Sequence, residues 1–170
     1  RTSLSHGEDK ITIREELEHV ENYLKIQQLR YGDIMEYSID VPDEIKKNDI
    51  VKITLQPLVE NAVKYGFSEI YEGGYIRIRI TEENDVLVIS VYNTGMPMNK
   101  DMVEKINGLT HLPISQIKEA FPDKKHGYGV FNILTRLRLK YGDKITYYYE
   151  TTDASTTCTI KVPKGGEQES

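Results

Sequence analysis

L-Q-P-L-V-E-N-A-V-K-Y-G, residues 55–66, carries two patterns at once. Leu55, Leu58, Val59, Ala62 and Val63 recur at helical spacing, which predicts a helix over 54–65 with Pro57 tolerated only in its first turn. Glu60, Asn61 and Lys64 fall on or near the opposite side. A carboxamide oxygen is a hard, neutral ligand of the kind Mg²⁺ accepts beside waters and phosphates, and an ammonium one turn on reaches the same phosphates. Taken alone, the Asn and Lys read more readily as a surface polar pair than as a site.

Upstream, Thr12 and Glu15 form a capping-box pattern, and Ile13, Leu17, Val20 and Leu24 predict a helix over 12–31. Its charges, Arg14, Glu15, Glu16, Glu18, Glu21 and Lys25, are expected to be a solvated face. Residues 35–41 alternate as a strand, closed by Pro42 and Asp43. Downstream, Ile76, Ile78 and Ile80 alternate with Arg77 and Arg79, and the pattern resumes through Leu87, Ile89 and Val91 after a polar turn, which predicts an antiparallel hairpin. The arginines belong to its polar outer face.

Residues 94–126 are punctuated by Gly95, Pro97, Gly108, Pro113 and Pro122 around two short helical patterns, 100–107 and 114–121, and a long broken connection of this kind is expected to be a lid over a site. A helix follows from Gly127 to Tyr141, stopped by Gly142, and strands are expected over 144–151 and 156–162. The elements add up to a two-layer α/β sandwich, a mixed, mostly antiparallel sheet with helices on one face. The expected organisation is a flexible segment 1–10, one domain 11–163 and a disordered tail 164–170.

Two further segments place small or polar residues where a core pattern should continue. In V-Y-N-T-G-M-P-M, residues 91–98, a strand ends in Asn93, whose side chain offers a donor and an acceptor to a flat heterocycle, with Gly95 allowing a tight turn. In H-G-Y-G-V-F-N-I-L-T-R-L, residues 126–137, Gly127 and Gly129 open a helix whose free N–H groups favour phosphate oxygens. Each is weak alone.

In this order and spacing the three segments resemble the asparagine box and two glycine boxes of the ATP-binding fold shared by gyrase, Hsp90, histidine kinases and MutL. E-E-L-E-H-V-E-N-Y-L-K-I-Q-Q-L-R, residues 15–30, together with 55–66, is similar to the LytS/YesM-like sensor histidine kinases. The resemblance implies a Bergerat-type fold holding Mg·ATP, with Asn61 on the metal, Lys64 near the phosphates, Asn93 facing adenine and Gly127 and Gly129 letting the lid close. It also implies nucleotide contacts from Tyr65, Gly95, Met98, His126, Tyr128 and Val130. Glu60, beside the asparagine, is the remaining acidic candidate, for ordering a metal-bound water or assisting transfer, and reads equally well as a salt-bridge or helix-surface residue.

The implied activity is that of a protein-histidine kinase catalytic domain in a two-component system. The γ-phosphate would pass to a histidine on an upstream dimerisation segment and then to a response regulator, in a membrane-anchored homodimeric parent with this domain in the cytoplasm. None of His6, His19, His111 and His126 stands in the sequence context expected of the acceptor. Two departures matter. Asn93 stands where the family's first glycine box has Asp, and Pro57 stands where the hydrolytic members carry a water-activating Glu. The first leaves room for a degenerate nucleotide-binding module, the second argues against a hydrolase, and an anti-sigma-type serine kinase shares the same fold.

Composition sets bounds around this reading. The 170 residues suffice for one core, and a net charge of −5 with 22 scattered Lys and Arg disfavours nucleic acid. Cys158 is the single cysteine, so the chain forms no internal disulfide and a reducing compartment fits. With no apolar run near the length of a membrane span, the fragment is expected to be soluble and to make no membrane contact.

Overall fold

The structure, a computed structural model, describes residues 10–32, 35–67, 73–120 and 128–164. Five strands form one sheet in the order β2-β4-β5-β7-β6. They are β2 (Met35–Asp40), β4 (Gly74–Glu83), β5 (Val86–Thr94), β6 (Thr146–Thr151) and β7 (Ser155–Pro163). β2 runs parallel to β4 and the other pairings are antiparallel, so the sheet is mixed and mostly antiparallel, as expected. A small antiparallel pair, β1 (Lys10–Thr12) with β3 (Asp49–Val51), stands apart from it.

Alternation sets the two faces. Ile76, Ile78, Ile80, Leu87, Ile89, Val91, Ile160 and Val162 are buried, and so is Asn93 in the same β5 row. On the other face Arg77 stacks on Tyr92 at 5.0 Å and Arg79 pairs with Asp40 at 3.0 Å, which is the polar outer face expected of these arginines. Three long helices cover the buried face: α1 (Ile13–Tyr31), α3 (Gln56–Gly66) and α6 (Tyr128–Tyr141). The short α2 (Asp43–Lys46) links β2 to β3. Each long helix contributes an apolar stripe, Ile13, Leu17, Val20 and Leu24 from α1, Leu58, Val59 and Val63 from α3, and Val130, Ile133, Leu134 and Leu137 from α6.

The capping box of α1 is formed: Glu15 N donates to Thr12 Oγ1 at 3.2 Å, and Thr12 N donates to Glu15 Oε1 at 3.1 Å. Glu16, by contrast, corrects the expectation of a solvated face, for it is 3% exposed. Its carboxylate accepts from Leu55 N at 2.9 Å and Ile53 N at 3.2 Å. The physical reason is that α3 has no side-chain cap of its own, and the N–H groups at a helix start have no acceptor within the helix. Glu16 is that acceptor.

The expected lid contains regular structure. α4 (Lys100–Leu109) and α5 (Ile114–Ala120) occupy most of it, with Ile106 and Ile117 buried in the core. Asn107 exchanges two hydrogen bonds with the backbone of Tyr149, and Arg138 Nη1 donates to the carbonyls of Thr110 and Leu112 at 3.0 and 2.8 Å. Residues 94–120 are therefore fastened to the scaffold, and the remainder of the expected lid, 121–126, lies outside the described residues. At the ends, Lys10 pairs with Val51 in β1, Lys164 N donates to the Asp85 carbonyl at 2.9 Å and the Lys164 ammonium pairs with Glu82 at 3.1 Å.

Candidate functional site: a cleft between α3 and α6

Three glycines explain how the three sequence segments meet. A Cβ on Gly95, which has φ +116°, would lie 1.9 Å from the carbonyl oxygen of Gly66, so the strand end and the end of α3 touch backbone to backbone. A Cβ on Gly66 would lie 2.2 Å from Asn93 Nδ2. A Cβ on Gly129 would lie 3.1 Å from Asn61 Oδ1 and 3.9 Å from the Tyr65 hydroxyl. α3 is thus clamped at its C-terminus by β5 and flanked along its polar side by the first turn of α6. Gly66 and Gly129 supply the absence of a side chain, and Gly95 supplies that together with a backbone conformation other residues rarely adopt.

Between α3 and α6 lies a cleft of about 270 Å³ lined by Pro57, Glu60, Asn61, Lys64, Gly129, Asn132, Ile133 and Arg136. Glu60, at its rim, accepts from Gln56 Nε2 at 2.9 Å. The Lys64 ammonium lies 5.4 Å from the Tyr65 ring centroid. The walls combine two carboxamides, two cations and one carboxylate, a set suited to a polyanion with a hard cation. A larger groove of about 460 Å³ lies between α1 and the edge strand β2, but Arg14, Glu18, Glu21 and Lys46 mix both charges along it and none of the three segments reaches it. The α3–α6 cleft is the one with a coherent chemistry.

Asn93 is 5% exposed, and its Nδ2 donates to the carbonyl of Thr94 at 3.1 Å. That bond uses one of the two amide hydrogens, and the side-chain oxygen remains able to accept from a partner's N–H. Met98 is half-buried, and its N–H donates to Thr156 Oγ1 at 3.0 Å. Val130, in the first turn of α6, is 4% exposed and packs in the core. His126 and Gly127 lie outside the described residues, as does the side chain of Tyr128.

Sequence reasoning missed Asn132 and Arg136. Gly129, Asn132, Ile133 and Arg136 follow i, i+3, i+4, i+7 spacing, so once Gly129 is placed at the site the same helix face brings the other three.

The family model described as histidine kinase-, DNA gyrase B-, and HSP90-like ATPase matches residues 46–166, and a second, described as histidine kinase, matches residues 1–35. The chain belongs to this ATPase family. Among its relatives it is 31% identical to the sensor protein LytS of Streptococcus mutans over 99% of its own length, and 30% identical to the sensor histidine kinase YesM of Bacillus subtilis over 84%. It spans 28% and 22% of the lengths of those two proteins. The catalytic domain of the histidine kinase ThkA has the same fold, with a TM-score of 0.65 at 18% identity over 91% of this chain and 95% of that one. Among the described residues no helix is long and apolar enough to cross a membrane.

Proposed function

We propose that this chain is the ATP-binding catalytic domain of a sensor histidine kinase. In this reading it passes the γ-phosphate of ATP to a histidine on an upstream dimerisation segment, from which a response regulator receives it. The observation that carries the proposal is the placing of Asn61 Oδ1 against Gly129, inside a cleft whose walls hold Lys64 and Arg136. The donor set fits Mg·ATP: one neutral oxygen ligand leaves a cation's other positions to phosphates and waters, two cations offset phosphate charge, and a bare Gly129 keeps the approach open. When bound, the nucleotide supplies the phosphoryl group and Mg²⁺ offsets charge on its oxygens.

Each side chain then has a part. Asn61 Oδ1 orients the metal, and Lys64 and Arg136 hold phosphate oxygens from opposite helices. Asn93 accepts from the adenine amino group through its side-chain oxygen, replacing a charged acceptor by a neutral one at a cost of about 1 kcal/mol. Glu60, steadied by Gln56, orients the incoming imidazole at the rim. Catalysis of this kind is mostly positioning and charge stabilisation, which suits a cleft built on two rigid helices. The parent protein is, in this reading, a membrane-anchored homodimer with this domain in the cytoplasm.

Calorimetry with ATP and Mg²⁺ tests the first half: binding that Asn61→Ala abolishes without changing thermal unfolding supports it, and unchanged affinity refutes it. Incubation with labelled ATP tests the second. The chain itself should stay unlabelled while an added histidine-bearing segment from the parent slowly takes up acid-labile phosphate. The neutral Asn93 favours one other reading, a nucleotide-binding module without turnover. Binding without transfer at high acceptor concentration would select it.

A further inference from the structure

Asn93 stands near the end of the helix-facing row of β5, between Ile76 on β4 and Thr156 on β7. A Cβ on Gly66 would stand 3.0 Å from Asn93 Cγ, so the carboxamide lies against the backbone of α3. Its Nδ2 donates to the Thr94 carbonyl at 3.1 Å. Thr94 is itself held: its Oγ1 accepts from Tyr75 N at 2.9 Å and donates to the Gly73 carbonyl at 3.1 Å, and the next N–H, that of Gly95, donates to the Ala154 carbonyl at 2.9 Å. A carbonyl oxygen can only accept, so the nitrogen end of the carboxamide, not the oxygen end, belongs at Thr94.

The amide keeps one hydrogen on Nδ2 and all of Oδ1 for a ligand. Among the described residues the one enclosed side-chain nitrogen or oxygen without a partner is Thr135 Oγ1, so the unbonded Oδ1 of Asn93 reaches open space. Thr156, its neighbour across the strands, accepts from Met98 N at 3.0 Å through Oγ1 and keeps its own hydrogen and a second lone pair. Both side chains are neutral, and each can still give a hydrogen bond or accept one.

That capacity matters because purines come in two kinds on the edge such groups would read. A 6-aminopurine presents a donor with a bare ring nitrogen beside it, and a 6-oxopurine presents an acceptor with a ring N–H beside it. A carboxylate accepts from the amino group but has no hydrogen for the oxo group and repels it. A carboxamide meets the amino group with Oδ1 and the oxo group with Nδ2–H.

We infer that Asn93 relaxes the choice of base, so that the site binds 6-oxopurine nucleoside triphosphates, ITP and GTP, alongside ATP. The inference rests on the reading of Asn93, under the proposed function, as the residue that faces the base.

Calorimetry on this chain with Mg·ATP and Mg·ITP, which differ only along that edge of the base, tests it. The two should bind within about tenfold of each other, since one neutral hydrogen bond replaces another. Asn93→Asp should widen the ratio in favour of ATP by about 10- to 100-fold, the usual effect of leaving a buried acceptor unpaired. If ITP binds the unsubstituted protein about 100-fold more weakly than ATP, the inference is overturned and the ATP reading stands. Similar affinities that Asn93→Asp does not separate overturn it as well, because Asn93 then does not read the base. If neither nucleotide binds, the proposed function falls and this inference with it. Should Asn93→Asp fail to fold, Asn93→Ala decides instead, since it places no second acceptor against the Thr94 carbonyl. It should weaken ATP and ITP by similar factors; a loss confined to ATP, or no loss for either, would overturn the proposal.

Discussion

Replacing Glu16 by alanine should destabilise the domain far more than its place in a charged helical stretch suggests. The carboxylate is buried and accepts from two backbone N–H groups at the start of α3, with Leu55 N at 2.9 Å in the interior and Ile53 N at 3.2 Å nearer the surface. Hydrogen bonds to a charged group contribute about 1.5–3 kcal/mol each, and truncation leaves a buried donor without an acceptor. Water can replace the acceptor at Ile53, which is 52% exposed, but not at Leu55, which is 0% exposed. The expected loss is therefore about 3 kcal/mol, or about 10 °C in Tm for a domain of this size. Glu16→Gln keeps one carbonyl oxygen and should lose about half as much. Urea unfolding monitored by circular dichroism measures both, with an unchanged m-value as the condition for comparison. A Glu16→Ala variant within about 0.5 kcal/mol of the parent protein would show that the carboxylate does not cap α3, since that is the scatter of ordinary surface substitutions.

Gly95→Ala should prevent normal folding, because the new Cβ would meet the Gly66 carbonyl at 1.9 Å with backbone on both sides; a native-like near-ultraviolet spectrum would contradict the close approach. Alkali should unfold the domain steeply. Burial raises Cys158 from 9.0 and Tyr141 from 10.0, both to about 12, so the folded state prefers their neutral forms. That stability is complete below about pH 9 and is lost as pH rises toward 12, by up to about 1.4 kcal/mol per pH unit for each group, and Tyr141→Phe should flatten the loss in a pH series of urea midpoints. Hydrogen exchange should find α4 and α5 protected without nucleotide nearly as well as β5, since Ile106, Ile117, Asn107 and Arg138 fasten them. Exchange there as fast as in an unstructured peptide would restore the longer lid.

What residue order dictates by itself is everything that repeats locally. Alternation of Ile76, Ile78 and Ile80 and of Leu87, Ile89 and Val91 is legible because a strand's side chains change face at every step, and the stripes of α1, α3 and α6 because a helix returns to one face every third or fourth residue. Asn61, Asn93 and Gly129 stood out as candidates only together, through the resemblance of their three segments, in order and spacing, to the boxes of a known family. Tertiary structure decided the rest, for reasons that no local window contains. β1 and β3 are three residues each, too short for a period, and exist because Lys10–Thr12 pairs with Asp49–Val51 across the intervening α1, β2 and α2. Glu16 looks like any surface carboxylate until α3, 39 residues on, brings it a backbone N–H. Arg136 joins Lys64 only when two helices lie side by side, and Asn107 bonds the backbone of Tyr149 only when α4 lies along the edge strand β6. Periodicity reports which face of an element is buried; which polar groups meet across that burial depends on how the elements pack.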